Sequence, residues 1–254
     1  MNERPWVLLR GLTREQRHWG AFASDLAAAF PSAPAITLDL PGNGALNGMR
    51  SPGRVDAMAA FCRTEMSARG IAPPYRVLAM SLGAMVTTAW CGAHPDEIAD
   101  AVLINTSLRP FSPMHQRLKP SGMLLRLVLS SHDPIAWERA VLALTSNGPH
   151  RDADDDSDDA LLHQWAAYRR ERPVSAANAV RQLWAAARFV APRTPPFERV
   201  LLLTSARDRL VDTRCSLALA RAWRCEVESH PWAGHDLPLD DPAWVIAAVR
   251  RRFA

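Results

Sequence analysis

"YRVLAMSLGAMVTTAW", residues 75–90, carries an apolar run straight into a serine and then into small residues suited to a helix. The run 75–80 predicts a buried strand, and the stretch after Ser81 predicts a helix. A chain that turns this sharply needs small residues two before and two after the turn, because larger side chains would collide. Ala79 and Gly83 stand there. The segment A-M-S-L-G therefore reads as a nucleophile elbow, which lifts a serine hydroxyl above the end of a strand. A plain strand-to-helix cap is the other reading that these five residues allow. Two further Ser-x-Gly sequences, at Ser51 and Ser146, do not follow a strand-like run.

Working outward, strand-like runs alternate with helical patterns on both sides of Ser81. Strands are expected at 6–10, 35–40, 99–107, 199–205 and 225–230, and helices at 19–30, 54–70, 83–94, 213–223 and 242–254. Continuous apolar runs such as "WVLLR" and "RVLLLTS" fit strands buried on both faces. Strands separated by helices imply an α/β fold, a doubly wound and mostly parallel sheet. The alternation breaks once. Residues 108–196 hold only helical patterns, including "MLLRLVLS" and 160–190. An insertion of that size cannot be a simple crossover. It predicts a helical cap (lid) between the fourth and fifth strands, seated over their carboxyl ends, with 1–107 and 197–254 forming the core. Packing elsewhere on the core is the alternative.

A nucleophilic serine needs a base within hydrogen-bonding reach and an acid that orients the base. Asp208 follows the fifth strand in "SARDRLVD", and His235 follows the sixth in "WAGHDLP". Ser81, Asp208 and His235 thus follow in the chain order that goes with a nucleophile elbow, each past a strand end. Asp212 is expected to cap the next helix, His230 to belong to the sheet edge, and Asp236 to point away from the ring held by Asp208. His18, His94, His115, His132, His150 and His163 lie in helices or polar loops and are expected at the surface. The backbone N–H groups of Leu12 and Leu82 are placed to receive an oxyanion. Gly11 would let the backbone approach a substrate, although an ordinary β-to-α turn would use it in the same way.

Composition narrows the rest. The 254 residues have a formal charge of +4, with Arg far outnumbering Lys and acidic runs such as "DADDDSDD" beside them. No basic block interleaved with aromatics points to nucleic acid. Cys62, Cys91, Cys215 and Cys225 lack metal-ligand spacing and read as buried thiols. The charged N-terminus does not resemble a secretory leader, and no apolar run reaches membrane-spanning length. A soluble cytoplasmic protein is the expectation.

Taken together, "LLRGLTREQRHW", "LDLPGNG", "AMSLG", "SARDRLVD" and "WAGHDLP" resemble the capped serine hydrolases of the α/β-hydrolase superfamily over nearly the whole chain. Relatives with helical lids include esterases, among them the methyl esterase that releases pimeloyl chains from acyl carrier protein. The resemblance implies an esterase with Ser81, His235 and Asp208 as its triad and Leu12 and Leu82 as its oxyanion hole. No metal or organic cofactor is implied. Arg10, Gly11 and Met80 fall where the family lines its substrate pocket. Arg10 replaces the customary His, Asn43 the common His of the P-G-x-G turn, and Ala79 the usual Gly. Thioesterases, C–C bond hydrolases and lyases share the fold, and a binding protein could retain it. Met114, Met123, Leu124, Leu125 and Trp184 would line an acyl pocket or pack the cap's own core. Arg117, Lys119, Arg126, Arg169, Arg170 and Arg172 read as a solvated face; an acidic acyl carrier protein docked on them is the sharper possibility.

Overall fold

A computed structural model of the chain describes residues 4–120, 133–148 and 156–253. Six strands form one all-parallel sheet: β1 Trp6–Leu9, β2 Ala35–Leu38, β3 Tyr75–Met80, β4 Ile98–Ile104, β5 Arg199–Ser205 and β6 Glu226–His230. Their order is β2-β1-β3-β4-β5-β6. The apolar runs read as strands because both faces are covered. Val7, Leu9, Val77 and Ala79 enter one core, with residues of the helices α2 (Val55–Ala68) and α3 (Leu82–Ala93). Trp6, Leu8, Leu78 and Met80 alternate into the other.

The helix α1 (Phe22–Ala29) belongs to this second core. The edge helix α10 (Pro242–Phe253) joins it there, and α8 (Arg214–Trp223) lies on the first face between β5 and β6. Four described helices lie between β4 and β5: α4 Met114–Arg117, α5 Pro134–Thr145, α6 Asp156–Glu171 and α7 Ala176–Arg188. The short helix α9 Leu237–Asp240 follows β6. Among the described residues no helix is long and apolar enough to cross a membrane. The expected pattern "MLLRLVLS", with Met123, Leu124, Leu125 and Arg126, and also His132 and His150, lie outside the described residues.

Hydrogen bonds seat the inserted helices on loops at the carboxyl ends of the strands. Gln182 of α7 accepts from the Thr13 N–H at 2.9 Å and donates to Asn43 at 2.7 Å. Asn178 accepts from Ser51 N–H at 2.9 Å. After α5, Ser146, Asn147 and Gly148 all donate to the buried Asp240 carboxylate, which also accepts from the Gly234 N–H at 2.6 Å. The Ser-Asn-Gly stretch is thus an anchor beside the His235 loop. Where the insertion leaves and rejoins the core, Arg109 bridges Val190, and Ala191 N–H donates to Arg109 O at 2.8 Å.

Several expectations need correction. Of the cap residues expected to line an acyl pocket, Met114 and Trp184 are exposed. Arg117 is buried, donating to the carbonyls of Ala186 and Ala187 at the end of α7. Arg169 stacks on Trp137, 4.1 Å from the ring centre. Neither belongs to a solvated face. His18 is buried too, with its ring edge-on to Trp165 and Tyr168 of α6. Helix α6 supplies the cover that local sequence could not reveal.

Candidate active site

The order of the sheet decides where a site forms. From β1 the chain crosses to β2 on one side and then to β3 on the other, and ligands bind at such reversals, past the carboxyl ends of the strands. Ser81 follows β3, and Gly11 and Leu12 follow β1. Ser81 adopts φ +50°, ψ −113°, a strained conformation for a side-chain-bearing residue. Its N–H donates to Ile104 O at 3.0 Å, and its carbonyl accepts from Ala84 and Met85 in the first turn of α3. The small neighbours have a steric cause. A Cβ on Gly83 would sit 2.6 Å from Leu9 O and 2.7 Å from Arg10 O, and one on Gly11 would lie 3.2 Å from Ser81 Cβ. Ala79 is fully buried within β3.

Asp208 and His235 meet in a buried pair. His235 Nδ1 lies 2.7 Å from Asp208 Oδ2. The other carboxylate oxygen of Asp208 accepts from Leu210 N–H at 2.7 Å and Val211 N–H at 2.9 Å, so both oxygens are fixed in place. The segment after β4 straps this loop from outside. Lys119 Nζ donates to Asp208 O at 2.7 Å, and Lys119 N–H to Leu210 O at 2.8 Å. Asp212 accepts from the Arg214 N–H and side chain, as a helix-capping residue does, and Arg214 holds its carboxyl down at about 2. His230 ends β6 and faces Asp241 at 3.1 Å.

Burial alone would lower the His235 pKa. The charge and hydrogen bond of Asp208, helped by Asp236, overcome it and raise the imidazole above its ordinary 6.5, with Arg10 opposing. Asp236 does turn away from the ring. It pairs with Arg10, at 3.0 Å between Nη1 and Oδ1 and 2.5 Å between Nη2 and Oδ2. Arg10 also reaches Met80 Sδ at 3.3 Å and lies over the Trp19 ring. Its guanidinium is thus committed to a buried pair between the β1 loop and the histidine loop.

Among the described residues, the Ser81 hydroxyl makes no hydrogen bond, and the N–H groups of Leu12 and Leu82 have no protein acceptor. Hydrogen bonds through the end of β4 hold the serine and histidine in register. Asn105 has φ +46° and is buried. Its Nδ2 donates to His235 O at 2.8 Å, Gly234 O at 3.3 Å and Ser205 Oγ at 3.0 Å, and its Oδ1 accepts from Ser205 N–H at 2.9 Å. On either side of it, Ile104 O receives the Ser81 N–H and Thr106 Oγ1 donates to Ser81 O at 3.4 Å. One tripeptide therefore holds both the serine and histidine loops.

Sequence reasoning had passed over Asn105, which read as the end of a strand. An Asn just past an apolar strand, able to adopt positive φ, was the available signal. Asn105→Gly keeps the backbone conformation and removes the carboxamide. It is expected to cut kcat about tenfold to a hundredfold with little change in KM, because a shift of about 1 Å at a reacting pair costs that much. Kinetics on p-nitrophenyl acetate, read beside the melting temperature, check this. Wild-type kcat would remove Asn105 from the role.

The comparisons follow this geometry. The model of the Alpha/beta hydrolase family matches residues 6–248. No curated protein sequence matches the chain. Among solved structures, the enol-lactonase from Burkholderia xenovorans LB400 superposes with a TM-score of 0.77 at 17% identity, covering 98% of this chain and 91% of that one. A thermophilic esterase from Thermogutta terrifontis gives 0.72 at 19% identity, covering 98% and 89%. The esterase RhEst1 from Rhodococcus sp. ECU1013 gives 0.71 at 20%, covering 98% and 89%. At these identities the likeness establishes the shared fold. A parallel sheet in this order, and a family match running nearly end to end, give one conclusion: the chain belongs to the alpha/beta hydrolase family.

Proposed function

We propose that the protein is a serine hydrolase that cleaves a carboxylic ester through an acyl-enzyme. The observation that carries this reading is the buried Asp208–His235 pair, 2.7 Å apart, at the same sheet end as the strained Ser81. Ser81 Oγ attacks the acyl carbonyl and His235 takes its proton. Asp208 holds the imidazolium that forms, and the N–H groups of Leu12 and Leu82 receive the oxyanion. His235 returns the proton to the leaving alcohol, then activates water to release the acid. Residues 108–196 act as the lid, and the close approach of Gly11, with Arg10 and Met80 behind it, shapes the wall nearest the acyl carbon.

The substrate class is a small-molecule or acyl ester. An acyl carrier protein has less support, because Arg117 and Arg169 turn inward. A panel of p-nitrophenyl esters of graded chain length, run beside acyl-CoA and carrier-linked thioesters, tests the reading. Faster turnover of the thioesters would replace esterase with thioesterase. A fluorophosphonate that failed to label Ser81 would remove acyl-enzyme chemistry altogether.

The pH profile carries a second expectation. His235 must be neutral to accept the serine proton, and its pKa lies above 6.5, so kcat/KM should rise with pH along a limb above 6.5. Asp236→Asn removes a charge that raises this pKa and leaves Arg10, which lowers it. The limb should then move to lower pH. Arg10→Met should move it to higher pH. Both shifts are read from kcat/KM on a neutral ester across pH 5–9, and a limb that stays put in both variants would refute the assignment of this base.

A further inference from the structure

A second polar site lies where helices α5 and α6 meet the loop after β1. The cleft there is lined by Arg14, Glu15, His18, Tyr168, Arg169 and Arg172, with Glu138 on its wall.

The hydrogen-bond inventory of this cleft is uneven. Arg14 Nη1 donates to Glu138 at 2.6 Å, but its buried Nη2 has no partner. The buried Nε2 of His18 has none either; its Nδ1 lies 3.1 Å from Glu15 N and 3.2 Å from Glu15 O, and in the tautomer that accepts from the Glu15 N–H the ring proton sits on Nε2. Arg17 takes Glu15 at 2.7 Å and Glu171 at 2.5 Å. Arg172 reaches Glu15 only at 3.7 Å. Arg169 is half-buried over Trp137 and has no hydrogen bond or ion pair among the described residues. Arg14, Arg17 and Arg172 each face a carboxylate within ion-pair distance, whereas Arg169 lies over Trp137 with Glu138 as its attracting charge and makes no hydrogen bond among the described residues. A half-buried guanidinium that leaves its N–H groups without hydrogen bonds is costly. The unspent donors of Arg14, His18, Arg169 and Arg172 call for a ligand rich in acceptors. Glu15 Oε2, buried without a hydrogen bond, and the Glu138 carboxylate on the wall oppose it.

From these unspent donors we infer that this cleft binds a small oxyanion, a carboxylate or phosphate group, between the cap and the oxyanion-hole loop. The group would bridge Arg169 and Arg172 of the cap to Arg14 and His18 of the core. It could be carried by an ester substrate or be a free anion. Charge-assisted hydrogen bonds of this kind are the strong ones.

The test uses the full chain in a chloride buffer free of oxyanions. Calorimetric titration with inorganic phosphate and with succinate is expected to give saturable binding to at least one. Arg169→Gln should weaken that binding about tenfold or more, and Arg170→Gln, at its exposed neighbour, should leave it unchanged. Two p-nitrophenyl esters, one with a terminal carboxylate and one a neutral isostere, separate the sources. If the anion belongs to the substrate, Arg169→Gln raises KM about tenfold for the carboxylate ester alone. If it is a free ligand, only the titration changes. Absence of saturable binding together with equal KM for both esters would overturn the inference. So would equal loss of binding in Arg169→Gln and Arg170→Gln. The titration does not depend on turnover, so failure of the esterase reading would leave its result standing.

Discussion

Ser81→Ala is expected to lower kcat on p-nitrophenyl esters by several orders of magnitude, on the order of 10⁶ where a triad acts as a unit. The protein should fold unchanged, because no hydrogen bond among the described residues holds the hydroxyl: those of Ser81 to Ile104, Ala84 and Met85 are all made by its backbone. Alanine at φ +50° carries the same strain as serine, so the melting temperature should hardly move. Combining Ser81→Ala with His235→Ala should cost hardly more than either alone, since a base without a nucleophile has nothing to activate. Rates and labelling by a fluorophosphonate decide the matter. Near-wild-type turnover by Ser81→Ala would leave the elbow as a simple strand-to-helix turn.

Asp208→Asn should be nearly as severe, about 10⁴-fold in kcat, through an error of proton placement. One oxygen of Asp208 is fixed by the N–H groups of Leu210 and Val211, which only donate. In the variant the amide oxygen must keep that position, so the amide NH₂ faces His235 Nδ1. A donor there makes Nδ1 an acceptor and moves the ring proton to Nε2. That tautomer cannot take a proton from Ser81. Asp212→Asn disturbs only a pair with Arg214 and the helix cap, and should change kcat little. If Asp212→Asn inactivated the protein and Asp208→Asn did not, the acid would be the other residue. Circular dichroism of both variants guards against unfolding as the cause.

What could be read in the chain follows from the range of the interactions. The strands at 75–80 and 199–205 were expected with the bounds they have, because burial on both faces writes itself as an unbroken apolar run. The strands expected at 35–40 and 99–107 ended early, at Leu38 and Ile104, where Asp39 and Asn105 turn the chain into loops. The elbow was legible because its steric demand falls on Ala79 and Gly83, both within two residues of Ser81. Asp208 and His235 stood out through their place after strands.

The contacts of Asn105 were out of reach, since its partners lie 100 to 130 residues away. The buried state of His18 was hidden for the same reason, its cover being Trp165 and Tyr168. Arg10 read as part of the pocket wall and Asp236 as a neighbour of the histidine turned from its ring, and their pairing spans 226 residues. Charge pairs of that separation leave no periodic trace.

The bridge between Arg109 and Val190 has an architectural consequence. Some eighty residues depart from and return to the sheet through a neck one bridge wide, between two strands that are already neighbours. Nothing in the strand order depends on what hangs from that neck. Closing a longer or shorter excursion costs only about 0.6 kcal/mol per doubling of its length. A replacement hung from this stem would also have to reproduce the contacts of Lys119 with the Asp208 loop and of residues 146–148 with Asp240, which hold the acid and histidine loops. Ala185, which buries against the first core face, would have to be matched as well. Grafting experiments on the insertion should therefore cut at 109 and 190 and carry these contacts across.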